Sequence, residues 1–173
     1  MELFNKFMNN KGQTLIEVLV AFAIGSVIVI AITTVVIAAL NNAEYSKNQT
    51  YANLYIQQGM DIIRHLRDNN YTEFSNFSGN YCLASTCTTL TSTVGDPCGP
   101  MLISCPQNVG IFIRQVKITQ NSPNCSKGGS SSETDVQTTV SWSDNKCTNA
   151  SSVFCHQITA ETCFSDFGVQ SVP

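Results

Sequence analysis

Residues 18–43 contain no charged side chain, and 14 of the 23 residues at positions 18–40 are Leu, Ile, Val or Phe. As a helix this run is long enough to cross a bilayer, whose hydrocarbon needs roughly 20 apolar residues. One carboxylate, Glu17, stands at its entrance. An acid costs about 2.5 to 3.5 kcal/mol at mid-membrane and less near one end, whereas each Leu, Ile, Val or Phe contributes about 0.3 to 0.6 kcal/mol. Insertion therefore prevails over the acid. An intramembrane acid is still by default a functional residue, and nothing in the apolar run can pair with it. Its partner is lipid headgroup, water or another molecule.

Three readings of this segment compete. A secretory signal peptide has an apolar region of about 7 to 15 residues closed by small residues. This run is longer, begins with an acid, and ends at Ile37-Ala38-Ala39-Leu40 without an A-x-A site. An uncleaved single-span anchor is the second reading, with Glu17 reaching back to the interface as polar residues near helix ends do.

The third reading rests on the stretch Gly12-Gln13-Thr14-Leu15-Ile16-Glu17-Val18-Leu19-Val20-Ala21. It resembles the prepilin motif of type IV pilins and of the pseudopilins of type II secretion, with cut site, threonine, aliphatic pair, acid and apolar run in order over about 30 residues. Two departures stand out: Gln13 occupies the position where the family most often has Phe, and the apolar run lacks the mid-helix proline of many major pilins. The resemblance implies that a membrane prepilin peptidase removes a basic leader, residues 1–12 with Lys6 and Lys11, between Gly12 and Gln13, and methylates Gln13. Glu17 then becomes the fifth mature residue. In the family this glutamate pairs with the N-terminal amine of a neighbouring subunit during extraction into the filament. Loss of either member would leave an uncompensated charge in an apolar bundle, at about 3 to 5 kcal/mol.

Lys6 and Lys11 on the N-terminal side place that side in the cytoplasm. All eight cysteines, Cys82, Cys87, Cys98, Cys105, Cys125, Cys147, Cys155 and Cys163, follow the apolar run. An even number confined to the exported part implies four disulfides formed in an oxidising compartment, and the sequence does not choose among the 105 connectivities. Structural zinc sites favour C-x2-4-C pairs. Here Cys82-x4-Cys87 lies at the edge of that range and Cys98-x6-Cys105 exceeds it, so no metal and no cofactor is expected.

Beyond the apolar run, Tyr45, Gln49, Ala52, Ile56, Gly59, Ile63 and Leu66 step by fours and threes, the spacing of one helical face. A single helix over residues 14–69, about 84 Å long, is predicted. Strands are expected over residues 111–119 and 135–143, where Val136, Thr138, Val140 and Trp142 share a face, and over 153–161. The helix face covers the sheet, giving an α+β, pilin-like architecture with disulfide-rich loops. The expected divisions are residues 1–12 (leader), 13–43 (membrane or filament-core helix), 44–70 (amphipathic continuation) and 71–173 (exported globular domain). A linker over residues 71–110 shows little regular pattern.

Nothing points to catalysis. His65 and His156 lack a companion acid or nucleophile at defined spacing, and no phosphate loop, H-E-x-x-H or G-x-S-x-G occurs. Gly95-Asp96-Pro97 and Ser143-Asp144-Asn145 offer too few acids for calcium and read as turns. Trp142 reads as a core aromatic. Asn76 and Asn149 head N-x-S/T triplets of a kind common by chance in such a chain. After residue 70 four cations face seven acids, a net charge of minus three, which argues against nucleic acid as a partner. Arg114 and Lys117 point to opposite faces of their strand. The resemblance implies a structural subunit of a type IV pilus or of a pilus-like secretion or competence filament, with a minor pilin or pseudopilin favoured. Its partners would be other pilin subunits, prepilin peptidase and an inner-membrane assembly platform. It would sit in the cytoplasmic membrane before assembly and outside it afterwards. The alternative is an uncleaved, membrane-anchored surface or receptor protein that does not polymerise.

Overall fold

The computed structural model describes residues 11–101, 103–125, 133–144, 147 and 154–165. Helix α1 runs Lys11–Asn69 and contributes to two compact units, Met1–Ser46 and Lys47–Pro173. In the first unit every described side chain, from residue 14 onward, is exposed. The three hydroxyls within the apolar run are satisfied locally: those of Ser26, Thr33 and Thr34 each donate to the carbonyl three residues back, on Ala23, Ile30 and Ala31, at 2.8 Å. No unmet hydroxyl therefore opposes an apolar environment.

In the second unit, α1 lies on a four-stranded antiparallel sheet, β1 (Gly79–Cys82), β2 (Ile113–Thr119), β3 (Glu133–Trp142) and β4 (His156–Ser165), in that spatial order. A short helix, α2 (Tyr71–Phe74), follows α1 and is capped by Asn70, whose side chain accepts from the Glu73 amide and donates to its carboxylate. Strand β3 alternates buried and half-buried residues along its whole length, so Thr134, Val136, Thr138, Val140 and Trp142 face α1. Arg114, Val116 and Ile118 do the same from β2. The stripe of α1 that meets them is Ala52, Ile56, Gly59, Met60, Ile63 and Leu66. Tyr45 and Gln49, expected on that stripe, are exposed.

Strands β2 and β3 lie within two residues of the expected 111–119 and 135–143, and the sheet departs further from expectation in two places. A fourth strand, β1, lies inside the supposed linker, and α2 precedes it. At four residues β1 is too short for alternation to show in the sequence, and it is fixed by its pairing from Gly79↔Ile118 to Cys82↔Gln115. Strand β4 was expected over residues 153–161 but runs to Ser165, because it pairs with β3 residue for residue from Trp142↔His156 to Glu133↔Ser165. Residue 153 lies outside the described residues.

The eight cysteines form four disulfides: Cys82–Cys105, Cys87–Cys98, Cys125–Cys163 and Cys147–Cys155. The second lies wholly within the loop closed by the first. Together they hold the long connection between β1 and β2, which has almost no regular structure of its own. The core falls into two clusters. Met60, Ile63, Leu66, Phe74, Phe77, Leu83, Val116, Ile118 and Val136 belong to the larger, and Ala52, Ile56, Val109, Phe112, Val140 and Trp142 form the smaller. Each fully buried large side chain contributes about 1.5 to 3 kcal/mol relative to exposure.

Between the clusters α1 comes close to the sheet at a glycine. A Cβ on Gly59 would lie 3.0 Å from Thr138 Cγ2, 3.3 Å from Arg114 Cδ and 3.4 Å from Leu83 Cδ2. Arg114 occupies this gap and is 1 % exposed.

Candidate functional site

The apolar half of α1 is the most unusual surface of the protein. Leu15, Leu19 and Phe22 are 67 %, 66 % and 74 % exposed, and Ile24, Val27, Val35 and Leu40 all exceed half. Soluble proteins rarely display a continuous apolar surface of this size; such a surface marks a membrane or protein contact. It is not featureless. Ala21 and Gly25, one turn apart, leave a shallow groove bounded by Val18, Phe22, Val29 and Ile30, with Ser26 on its floor. A Cβ on Gly25 would meet nothing within 4 Å, so the helix tolerates glycine here without needing it for space of its own.

Glu17 is exposed at the head of this segment. Among the described residues it forms no ion pair. Gln13 stands one helical turn before it, so the two positions share a face of α1. The carboxylate is thus presented outward, next to the chain position that would become the terminus after cleavage at Gly12.

A long apolar helix that continues into an α+β unit with a four-stranded antiparallel sheet and four disulfides defines the pilin-like class of architecture. Residues 7–33 match the family model described as the prokaryotic N-terminal methylation motif, so the chain carries the signal shared by type IV pilins and pseudopilins. Gly12, Gln13 and Glu17 all lie inside the matched stretch. No curated protein and no solved structure matches the chain.

The other residues singled out in the sequence have structural surroundings. Arg114 is a clamp, not part of a basic patch. Its Nε donates to the Leu83 carbonyl at 2.9 Å, Nη2 to that of Ala84 at 2.9 Å and Nη1 to that of Tyr55, on α1, at 3.2 Å. The Asn108 side chain grips the Arg114 backbone from both sides, accepting from its N–H at 2.8 Å and donating to its carbonyl at 2.7 Å. One side chain thereby ties α1, β2 and the β1–β2 connection together. Burial holds the Arg114 guanidinium below its ordinary pKa, and Tyr55 opposes that shift. Lys117, three residues on, is exposed on the other face.

His65 is exposed on α1 beside Asn69, whose Nδ2 lies 3.0 Å from its Nδ1. Asp96 accepts from the Cys98 amide at 2.8 Å, which makes its loop a self-bonded turn. Trp142 is a core residue, 1 % exposed. Asn76 is exposed and its amide donates to the Thr72 carbonyl; Asn149 and Asn145 lie outside the described residues. Two separately noted residues are brought together: Asp144 Oδ2 lies 3.0 Å from His156 Nε2, beside the Cys147–Cys155 disulfide. A spacing of twelve residues gives no sign of that meeting. It follows from the antiparallel pairing of β3 with β4. The clamp role of Arg114 was equally hidden, its only signal being an inward strand parity shared with Val116.

Proposed function

We propose that this protein is a structural, non-enzymatic subunit of a type IV pilus-like filament, processed at its N-terminus and assembled through α1. The observation that carries this reading is the methylation motif heading an apolar helix segment with no buried residue between positions 14 and 46. Prepilin peptidase cuts between Gly12 and Gln13 and methylates Gln13. Before assembly, the helix is held in the cytoplasmic membrane with its N-terminus inside, and the disulfide-bonded unit lies outside. In the filament, the apolar side chains of α1 pack against those of other subunits, and Glu17 pairs with the N-terminal amine of a neighbour. The pair sets register, because an uncompensated charge in an apolar bundle is costly. Cohesion comes from the burial of Leu, Ile, Val and Phe.

A minor pilin or pseudopilin is favoured over the main building block, on the combination of a helix without proline and a disulfide-rich outer unit. Intact-mass and N-terminal analysis of protein purified from its native membrane tests the proposal. A methylated Gln13 terminus is the expected result. Recovery of Met1 would overturn it in favour of an uncleaved single-pass surface protein, and a terminus near Ala39 would do so in favour of a secreted one.

A further inference from the structure

At the end of the β3–β4 pair, the side chains of Asp144, Cys147, Cys155 and His156 each offer one ligand atom, and these four atoms all lie within 4.8 Å of one another. We propose that when the Cys147–Cys155 bond is reduced, these four residues form a tetrahedral site for a divalent transition metal of the zinc class, and that oxidation of the pair closes it. Two thiolates, an imidazole and a carboxylate are a zinc-type donor set. With metal–ligand bonds of about 2.0 to 2.3 Å, tetrahedral ligand atoms stand about 3.3 to 3.8 Å apart. Asp144 Oδ2 and His156 Nε2 are already 3.0 Å apart, and Asp144 Oδ1 lies 3.8 Å from Cys147 Sγ. The two sulfurs must separate, which reduction frees them to do, and the remaining spacings, all within 4.8 Å, lie within reach of side-chain rotation.

The framework for the site is built by the sheet. The register Trp142↔His156 ends the β3–β4 ladder and fixes the imidazole, which stacks on the Trp142 ring at 5.4 Å. The Asp144 amide donates to Cys147 Sγ at 3.3 Å, holding the first cysteine over the aspartate. Access is also in place. Cys155 is exposed, as is Cys163 of the Cys125–Cys163 bond, whereas Cys82, Cys105 and Cys87 are buried, so an external reductant reaches the Cys147–Cys155 bond before those two loops open.

The chemistry balances with a dithiol as co-reactant. Its two thiols supply two electrons and two protons to the Cys147–Cys155 bond and become a disulfide, leaving two protein thiols. The metal then displaces both thiol protons to solvent and binds the thiolates. While bound, it withholds them from reoxidation. A chain exported in the reduced state therefore meets a choice between metal and disulfide at this one hairpin.

The test uses the full-length chain in detergent, reduced under anaerobic conditions, with Co2+ as probe and Zn2+ as competitor. The chain has a single tryptophan, Trp142, which makes its fluorescence a local reporter. The expected result is one equivalent of Co2+ beyond that taken by a Cys147→Ser/Cys155→Ser variant treated identically. It should show thiolate-to-cobalt charge-transfer absorption, quench Trp142 and be displaced by Zn2+. His156→Gln should weaken binding by more than about tenfold. The oxidised protein should show none of these signals. If reduced wild-type protein, with Cys147 and Cys155 shown by alkylation and mass spectrometry to be free, binds no more Co2+ than the double variant, the proposal is wrong. Binding that leaves Trp142 unquenched also overturns it.

Discussion

Arg114 shows how a single buried cation can organise a fold without an acid beside it. Its three donated hydrogen bonds all end on backbone carbonyls, of Leu83, Ala84 and Tyr55. Replacing it with Ala leaves the Leu83 carbonyl dry and unmet, at about 1 to 3 kcal/mol where water cannot reach, and strips a charge-assisted bond from two carbonyls that keep other donors: Ala84, bonded by the Cys87 amide, and Tyr55, within the ladder of α1. We expect Arg114→Ala to lower the stability of the outer unit by about 3 kcal/mol or more in urea unfolding followed by Trp142 fluorescence. Arg114→Lys should recover only part of that, because an ammonium cannot span three diverging carbonyls. Since burial lowers this pKa, the charged form carries a folding cost that is present throughout the range below the folded pKa and relieved only above it. An arginine remains protonated far above neutrality, so the effect of Arg114→Ala should be flat between about pH 5 and 8. Gly59 is the complementary case. Gly59→Leu should cost about 1 to 3 kcal/mol through overpacking against Thr138 and Arg114. Under the proposed function, Glu17→Val is expected to act on assembly and not on folding. It should leave membrane insertion intact and abolish incorporation into sheared filaments, and normal incorporation would remove the pairing role.

The elements were legible in the sequence to the degree that their periodicity was long. The second half of α1 and all of β3 carry many turns or many alternations, so Ala52 to Leu66 on the helix and Val136 to Trp142 on the strand were readable. Strand β1 was not, since four residues ending in Tyr81 and Cys82 show no repeat, and the pairing comes from a distant strand, from Gly79↔Ile118 to Cys82↔Gln115. The disulfide connectivity was likewise hidden, because it depends on which loops the sheet brings side by side. Loop length ranks the disulfides. Cys125–Cys163 closes a separation of 38 residues and Cys147–Cys155 one of 8. On loop-closure entropy their removal should cost about 3.9 and 2.5 kcal/mol respectively. Paired Cys→Ser variants compared by urea midpoint check the order.

At the scale of the whole molecule, one helix belongs to two environments. Its first part exposes apolar residues on every side, while its second part has one face buried under a sheet and the others in water. The sequence announced this division through the end of the uncharged run and the arrival of Glu44, Lys47 and Asp61. The proposed assembly site, Gly12, Gln13 and Glu17, is contiguous in the sequence, whereas Asp144, Cys147, Cys155 and His156 meet only after folding. Antibody labelling of sheared fibres should mark their ends or sparse points if this is a minor subunit, and their full length if it is the main one. The Cys87–Cys98 bond, enclosed by Cys82–Cys105, has a meaning for the proposed place of this unit outside the cell. A protease that cuts between positions 87 and 98 releases nothing, for both new ends stay tethered at the same cysteine pair, and the outer bridge still secures the path back to β2. Apart from Leu90, which is buried in the core, that stretch can accordingly be nicked or lengthened while the sheet stands.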